Sequence, residues 1–332
     1  MRIQFLAVIC LAGAGMAHAQ PKAPANWQPP KTAWGHPDLQ GTYTTDDLQG
    51  VPTERPAQFG TRRFLTEEEI AERGASVNRQ KTAIVTGERP KEGFWARVTG
   101  IEAEAVQANF VEYARRASTL TSLVSDPPNG RIPAVLESAR ARRTANYNNL
   151  RPQSYLDMTI YDRCITRGVT AGFFPSIYGN GSQFVQTPDT VAIRYEMVHE
   201  TRLIPLDNRP RRKIRTYMGE PRGHFEGNTL VVETTNFIGG KLSISGPPYS
   251  EDLVLTERFT RVAPDVIEYS VTVNDPKTYS APWTATFPLI SEPGYEVYEY
   301  ACHEGNYSMR NRLSAARAEE AKEEAKEAAA KK

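Results

Sequence analysis

Histidine and glutamate side chains are the groups in this chain whose types suit chemistry near neutral pH. Three histidines each have a glutamate within two residues: His199 with Glu200, His224 with Glu226, and His303 with Glu304. Imidazole titrates near neutrality, and burial raises the pKa of a carboxyl group toward it, so such pairs suit general acid–base catalysis. We therefore take His303, Glu304 and His199 as candidate catalytic residues.

A zinc site is the alternative use of the same histidines. Three histidines from three strands could leave one coordination position open. However, His199, His224 and His303 include no pair at i,i+2 or i,i+4, and neighbours in a strand point to opposite faces. The pattern His-Glu-x-x-His is also missing after His199 and His303. We predict no metal and no other cofactor.

Polar and aromatic residues of the second half of the chain are candidates for binding a ligand. They are Tyr178, Arg194, Tyr195, Asn306 and Trp283. Aromatic rings supply flat apolar surface, while hydroxyl, guanidinium and amide groups supply directed hydrogen bonds. For Asn306 and Glu304 the structural alternative is that they hold a turn through bonds to the backbone.

Glu257 is the charged strand residue most clearly expected to be buried. In an extended strand it shares a face with Leu253, Leu255 and Phe259. Because a buried carboxylate needs a partner, we expect an ion pair with Arg194 or Arg202.

The elements that must position these residues are strands joined by short turns. Alternation of apolar and polar residues and turn dipeptides predict a meander. Its predicted segments are a hairpin about Asn180-Gly181 within Ile177–Val185, a strand Val191–His199, a hairpin Arg222–Phe225 with Thr229–Thr235, strands Leu253–Arg261 and Val266–Asn274, and strands Trp283–Ile290 and Tyr295–Cys302. Nine or ten such strands are enough to close into a barrel.

Outside these strands the chain has a different character. A capping box at Thr66 and Glu69 predicts a helix from about Glu67 to Asn78. Residues 315–332 are almost entirely Ala, Glu and Lys, with i,i+4 pairs but no apolar stripe, which predicts a solvated helix.

The first nineteen residues resemble a secretory signal. Arg2 precedes an apolar run from Phe5 to Met16, and Ala17-His18-Ala19 has the small-x-small pattern of a cleavage site. We predict cleavage after Ala19 and a periplasmic or secreted protein, without membrane insertion. The resulting organisation is a signal peptide 1–19, an irregular α+β region 20–159, a β-barrel domain 160–312 and a charged helical tail 313–332.

Two cysteines, Cys164 and Cys302, remain after that cleavage. An even number in an oxidising compartment predicts one disulfide. The alternative is a nucleophilic thiol at Cys302 beside His303.

The charge balance argues against polyanionic partners. Without Arg2 the chain has 39 Lys and Arg residues, one fewer than the 40 of the full chain, against 39 Asp and Glu residues. We therefore expect no nucleic-acid partner, and oligomeric state is left open.

Several segments together resemble a widespread, largely uncharacterised family of secreted or periplasmic bacterial proteins. They are residues 35–41, 126–133, Tyr161–Gly168, 186–189, Phe225–Thr234 (Phe-Glu-Gly-Asn-Thr-Leu-Val-Val-Glu-Thr) and Glu299–Tyr307 (Glu-Tyr-Ala-Cys-His-Glu-Gly-Asn-Tyr). The resemblance implies a lipocalin-like β-barrel with an N-terminal extension, and it brings no catalytic residues.

The sequence thus predicts a mainly β protein: an antiparallel meander closing into a lipocalin-like barrel, with an irregular α+β N-terminal extension and a charged C-terminal helix. Its predicted partner is a small, largely apolar molecule, aromatic, terpenoid or steroid-like, held in a barrel cavity. Cofactor-independent lyase, isomerase or hydrolase chemistry is one possibility, and a non-catalytic carrier or structural envelope protein is the alternative.

Overall fold

A computed structural model describes residues 27–85, 112, 114–141, 152–207, 209–212, 214–239 and 249–331, with the backbone alone for 80–85. The predicted signal peptide lies outside these residues. The strands of the described chain are β1 Gly41–Thr44, β2 Val124–Asp126, β3 Ser182–Gln186, β4 Thr190–Tyr195, β5 Thr201–Pro205, β6 Glu220–Glu226, β7 Thr229–Thr235, β8 Val254–Ala263, β9 Val266–Asn274 and β10 Trp283–Ser291. The helices discussed below are α1 Glu67–Val85, α2 Val169–Phe173 and α3 Ser308–Ala330, and short 3-10 turns occupy Asp46–Leu48, Ala57–Phe59, Tyr155–Asp157 and Met197–His199.

The strands form one ten-stranded antiparallel sheet, which confirms the mainly β prediction. Its order is β5-β4-β3-β1-β10-β9-β8-β7-β6, with β2 added against β10. Two of these strands, β1 and β2, lie before residue 160. β1 pairs with both β3 and β10, and β2 pairs with β10. The sheet therefore extends across the predicted boundary at residue 160, and the division into domains stays a prediction.

The sheet curls into a nearly closed barrel. Its two end strands, β5 and β6, lie side by side. Gly223 of β6 allows this approach, because a Cβ at that position would lie 2.8 Å from Cγ2 of Ile204 and 2.9 Å from Cδ2 of Leu206. Curling in this way removes most of the exposed edge that a flat sheet would leave.

The hairpins of the second half confirm the strand pattern read from the sequence. β6 and β7 pair from Glu220↔Thr235 to Glu226↔Thr229, on either side of the Gly227-Asn228 turn. β8 and β9 pair over their lengths, and β9 in turn pairs with β10. In each case alternate apolar residues face the interior, so the hydrophobic pattern determines the register.

Two predicted strand segments are wrong, and a third is correct at its start but ends earlier than predicted. Residues before Ser182 form no hairpin arm, because the Asn180 side chain and amide bind Glu112 and Asp46 instead of a neighbouring strand. The strand beginning at Val191 ends at Tyr195, where the chain turns to enter β5. Residues 295–302 form no strand, since β9 and the β1–β2 side already occupy both edges of β10.

Aromatic side chains fill the barrel interior. Phe173 of α2 enters from one end and contacts Phe184 of β3, Phe259 of β8 and Tyr269 of β9, with ring centroids 4.7–6.0 Å apart. Phe287 of β10 completes the cluster against Tyr269 at 5.2 Å. These five rings are buried, and together they stabilise the closed barrel through area burial and edge-to-face packing.

One ion pair crosses the interior, as predicted for Glu257. Arg202 Nη1 and Nη2 donate to Glu257 Oε1 and Oε2 at 3.0 and 2.5 Å, with both side chains buried. Arg202 Nη2 also donates to Thr234 Oγ1, and the Tyr269 hydroxyl donates to Glu257 Oε1. Such additional hydrogen bonds help to offset the cost of burying the pair, although Arg202 Nε is buried without a partner among the described residues.

Two of these helices were predicted, but α1 continues to Val85, beyond the predicted end at about Asn78, and α3 begins at Ser308, before the predicted tail 313–332. Thr66 N donates to Glu69 Oε2 and Glu69 N to Thr66 Oγ1, which confirms the capping box at the start of α1. α3 is charged and mostly exposed, and Arg312 and Arg317 bind it to residues 152–162. Within the described ranges, every helix is too short or too polar to cross a membrane.

Candidate functional site

The candidate site lies at the end of the barrel that α2 closes. The register places the start of β3, the end of β4 and the start of β5 at this end. Phe173 projects from α2 into the interior, and Gly172 packs against Tyr195, so that a Cβ there would lie 2.7 Å from Tyr195 Cε1. A small cavity of about 20 Å³, room for one water molecule, remains beside Gly168 and Val169.

Three tyrosine hydroxyls converge just outside this end. Tyr161 Oη lies 3.0 Å from Tyr300 Oη and 3.4 Å from Tyr178 Oη, and the last two are 3.4 Å apart. Tyr161 also donates to the thioether sulfur of Met197 at 3.3 Å. All three tyrosines are half-buried, so each is partly accessible from the surface.

Arg167 is the charged residue of this site. Its side chain is 7% exposed, and its Nε and Nη1 atoms are buried without a hydrogen-bond partner among the described residues. The titratable groups that influence its pKa are Tyr161, Tyr178, Tyr300 and, least strongly, Glu112. We refer to Arg167, Tyr161, Tyr178 and Tyr300 as the Arg–Tyr cluster.

The protonation states make the Arg–Tyr cluster a group of donors. Burial raises the pKa of Tyr161, with a further contribution from its hydroxyl neighbours, and burial raises the pKa of Tyr300 to about 12. Burial lowers the pKa of Arg167, while the nearby phenols raise it. Neutral phenols cannot balance a guanidinium charge, so the cluster offers O–H and N–H donors to an anion.

The segment of Arg167 is anchored on both sides. Thr166 Oγ1 donates to Glu200 Oε2 at 2.5 Å and accepts from the Gly168 amide at 2.9 Å. The disulfide Cys164–Cys302 confirms the predicted pairing and joins this segment to the one that carries Tyr300.

Unusual backbone conformations surround the same site. Cys164, Val198 and His199 have φ values of 53°, 63° and 55°, in the left-handed region that non-glycine residues rarely adopt. Val198 and His199 lie in the β4–β5 turn that presents Met197 to Tyr161. Backbone strain of this kind is found where the surrounding structure fixes a functional geometry.

The predicted ligand residues divide among three places. Tyr178 belongs to the Arg–Tyr cluster, and Asn306 lies beside it, donating to Asp162 O and Cys164 Sγ at 3.2 Å each. Tyr195 and Trp283 are core residues, packed against Phe173 and Tyr279 respectively. Arg194 is half-buried and donates to Val297 O at 3.4 Å.

The predicted catalytic residues lie at the surface. His199, His303 and Glu304 are exposed, whereas Arg167 is buried. His224 is exposed as well, with Nε2 3.1 Å from Glu226 Oε1. No group of three or more His, Cys, Asp or Glu residues in the described part of the chain has the geometry to hold a metal ion. Catalysis by His199, His303 and Glu304 stays a prediction.

Comparisons with protein families, with curated proteins and with solved structures found no match for this chain.

Sequence reasoning did not select Arg167, Tyr161 or Tyr300 as site residues. All three nevertheless fall in two segments that carry the family resemblance, Tyr161–Gly168 and Glu299–Tyr307. These segments are far apart in the sequence, and the disulfide, the tyrosine contacts and the bonds of Asn306 bring them together. The one available signal was that both segments contain a cysteine of the predicted pair.

Proposed function

We propose that this protein binds a small molecule with an anionic group, and that the Arg–Tyr cluster binds that group. The ligand's body is largely apolar and aromatic, because tyrosine rings and the Met197 side chain border the cluster. A carboxylate is the simplest group that a guanidinium and several hydroxyls recognise together.

The observation that carries this proposal is the buried guanidinium of Arg167, whose Nε and Nη1 have no hydrogen-bond partner among the described residues. A buried charge without a partner is costly, and buried charges in proteins are therefore paired. Arg202 in the same molecule illustrates this rule, since it has Glu257 as its partner. An anionic ligand would supply the same compensation to Arg167.

The proposed location differs from the predicted barrel cavity. Phe173, Phe184, Phe259, Tyr269 and Phe287 occupy the interior, which leaves the α2 end as the place for a ligand. A non-catalytic carrier is the role that we propose, because binding is what an arrangement of donors around one cation supports.

We also propose export to the periplasm or outside the cell. The predicted signal peptide and the Cys164–Cys302 disulfide support this location. Membership in the lipocalin-like secreted family is part of the same proposal, and the barrel is compatible with it.

The test compares binding of naphthoate with binding of its uncharged amide, naphthamide, by calorimetric titration. We expect naphthoate to bind more tightly, and Arg167→Met to lower its affinity about tenfold to hundredfold, as for loss of hydrogen bonds from a charged donor. Arg194→Met is the matched control and should leave the affinity unchanged.

Three outcomes would contradict the proposed function. The first is equal affinity for naphthoate and naphthamide, and the second is full affinity in Arg167→Met. The third is no saturable binding of either naphthoate or inorganic phosphate. A loss of affinity in Arg194→Met alone would favour the originally predicted ligand residues.

A further inference from the structure

Glu112 binds the backbone on both sides of Tyr178. Its amide N–H donates to Ile177 O at 2.8 Å, and its Oε1 accepts from the Gly179 amide at 3.0 Å. Its Oε2 accepts from the Asn180 amide at 3.3 Å. Glu112 thus fixes the backbone both before and after Tyr178.

Asn180 connects Glu112 to the barrel. Its Nδ2 lies 3.0 Å from Glu112 Oε2, 2.9 Å from Asp46 Oδ1 and 2.7 Å from Ser176 O, and its Oδ1 accepts from the Ser176 amide. Asp46 begins the 3-10 turn after β1 and is buried. Glu112 and Asn180 therefore connect the backbone around Tyr178 to the barrel wall.

The pKa of the Glu112 carboxyl group lies above its ordinary value. Burial is the largest cause, and the hydrogen bond and charge of Asp46 add to it, so that the pKa of Glu112 is raised to about 8. The amides of Gly179 and Asn180 act in the opposite direction but do not outweigh burial. A neutral Glu112 can donate to Asp46 while it accepts from the backbone of residues 179 and 180.

We propose that Glu112 is a positioning residue of the Arg–Tyr cluster: in its neutral form it holds Tyr178 where its hydroxyl meets those of Tyr161 and Tyr300, and its ionisation weakens anion binding. This inference rests on the proposed function of the cluster. It adds a proton-dependent control of affinity to that function.

The charged and titratable groups around Glu112 determine how its ionisation changes the affinity for an anion. Asp46 repels an ionised Glu112, which loosens the contacts that hold Tyr178. Arg167 attracts it, so that an ionised Glu112 competes with the ligand for the same cation. Tyr295, which donates to Glu196, also responds to the charges of Glu112 and Asp46. Repulsion from Asp46 and competition for Arg167 both lower affinity as the pH rises.

The test measures naphthoate affinity of the full chain from about pH 6 to about pH 9, a range in which this carboxylate stays ionised. We expect the wild-type affinity to fall about tenfold as the pH passes through about 8. Glu112→Gln keeps a neutral donor and acceptor in place, so its affinity should match the wild type at low pH and stay constant. Glu292→Gln, a change at a buried carboxylate paired with Arg115, should keep the wild-type profile.

A second variant separates positioning from folding. Glu112→Ala should bind weakly at every pH, while its circular dichroism stays that of the wild type. A pH-independent wild type, or a Glu112→Gln variant that retains the wild-type fall, would overturn the inference. If the Glu112 inference fails but Arg167→Met loses affinity in the same assay, the proposed function still holds. If Arg167→Met binds normally, the proposed function itself fails.

Discussion

Two buried arginines show how one residue type serves two purposes in this molecule. Arg202 donates to both oxygens of Glu257 inside the barrel, and its cost of burial is offset by that pair. Arg167 is almost as deeply buried, at 7% against 4% exposed, yet it has no carboxylate partner of this kind among the described residues. The first contributes to the fold, and the second is the residue that we propose binds the ligand.

This contrast predicts opposite effects on stability. Arg202→Met should lower the free energy of unfolding by about 3–5 kcal/mol, because it leaves Glu257 buried and unpaired. Arg167→Met should leave the free energy of unfolding unchanged or raise it, because it removes a buried charge without stranding a partner. Urea denaturation at pH 7 measures both. A loss of several kcal/mol in Arg167→Met would show that Arg167 is a structural residue.

At the scale of elements, the segment after β10 is held by side chains rather than by a strand ladder. The Tyr295 hydroxyl donates to both carboxylate oxygens of Glu196, at 2.6 and 2.7 Å, and Cys302 is bonded to Cys164. Tyr300 lies between these two attachments and reaches Tyr161. The disulfide therefore fixes one wall of the Arg–Tyr cluster as well as closing a loop.

Replacing both Cys164 and Cys302 by Ser should lower both stability and affinity. The residues are 138 apart in sequence, and a loop of that length corresponds to on the order of 4–5 kcal/mol in the chain-entropy model. Naphthoate affinity should fall too, because Tyr300 loses its nearest covalent attachment. Urea denaturation and titration of the folded variant measure the two effects, and reduced wild-type protein is the control. An unchanged affinity would mean that the Tyr295 contact alone positions Tyr300.

At the scale of the whole molecule, the barrel interior is packed with side chains and the candidate site lies at its α2 end. Five aromatic rings fill the interior, and α2 closes one end with Phe173. The long C-terminal helix is bound to residues 152–162 through Arg312, Arg317 and Glu320, which lie in its first thirteen residues. Beyond Glu320 its described side chains are exposed.

Removal of residues 321–332 should therefore have little effect on the fold. We expect the free energy of unfolding to change by less than about 0.5 kcal/mol, because exposed ion pairs such as Lys322–Glu319 contribute little. Arg317→Ala is the comparison, since it removes the bonds to the carbonyls of Pro152 and Gln153. If the truncation costs more than the Arg317 substitution, the distal helix has a structural role that its exposure does not indicate.

The sequence by itself determined the features that depend on local pattern. Alternation and turn residues gave the β6–β7 and β8–β9 hairpins, the Thr66–Glu69 pair gave the start of α1, and an apolar strand face gave the burial of Glu257. The cysteine count gave the disulfide. Each of these features follows from residues close together in the sequence, or from the rule that cysteines in an oxidising compartment form disulfides.

Only the tertiary structure decided where the candidate site lies. Arg167, Tyr178 and Tyr300 come from separate segments, and no local pattern distinguishes an arginine that has a partner from one that lacks it. Glu112 gave no signal at all in the sequence, since its role depends on which backbone amides the fold brings to its carboxyl group. Hydrogen bonding and desolvation are properties of three-dimensional neighbours, which the chain acquires only when the barrel closes.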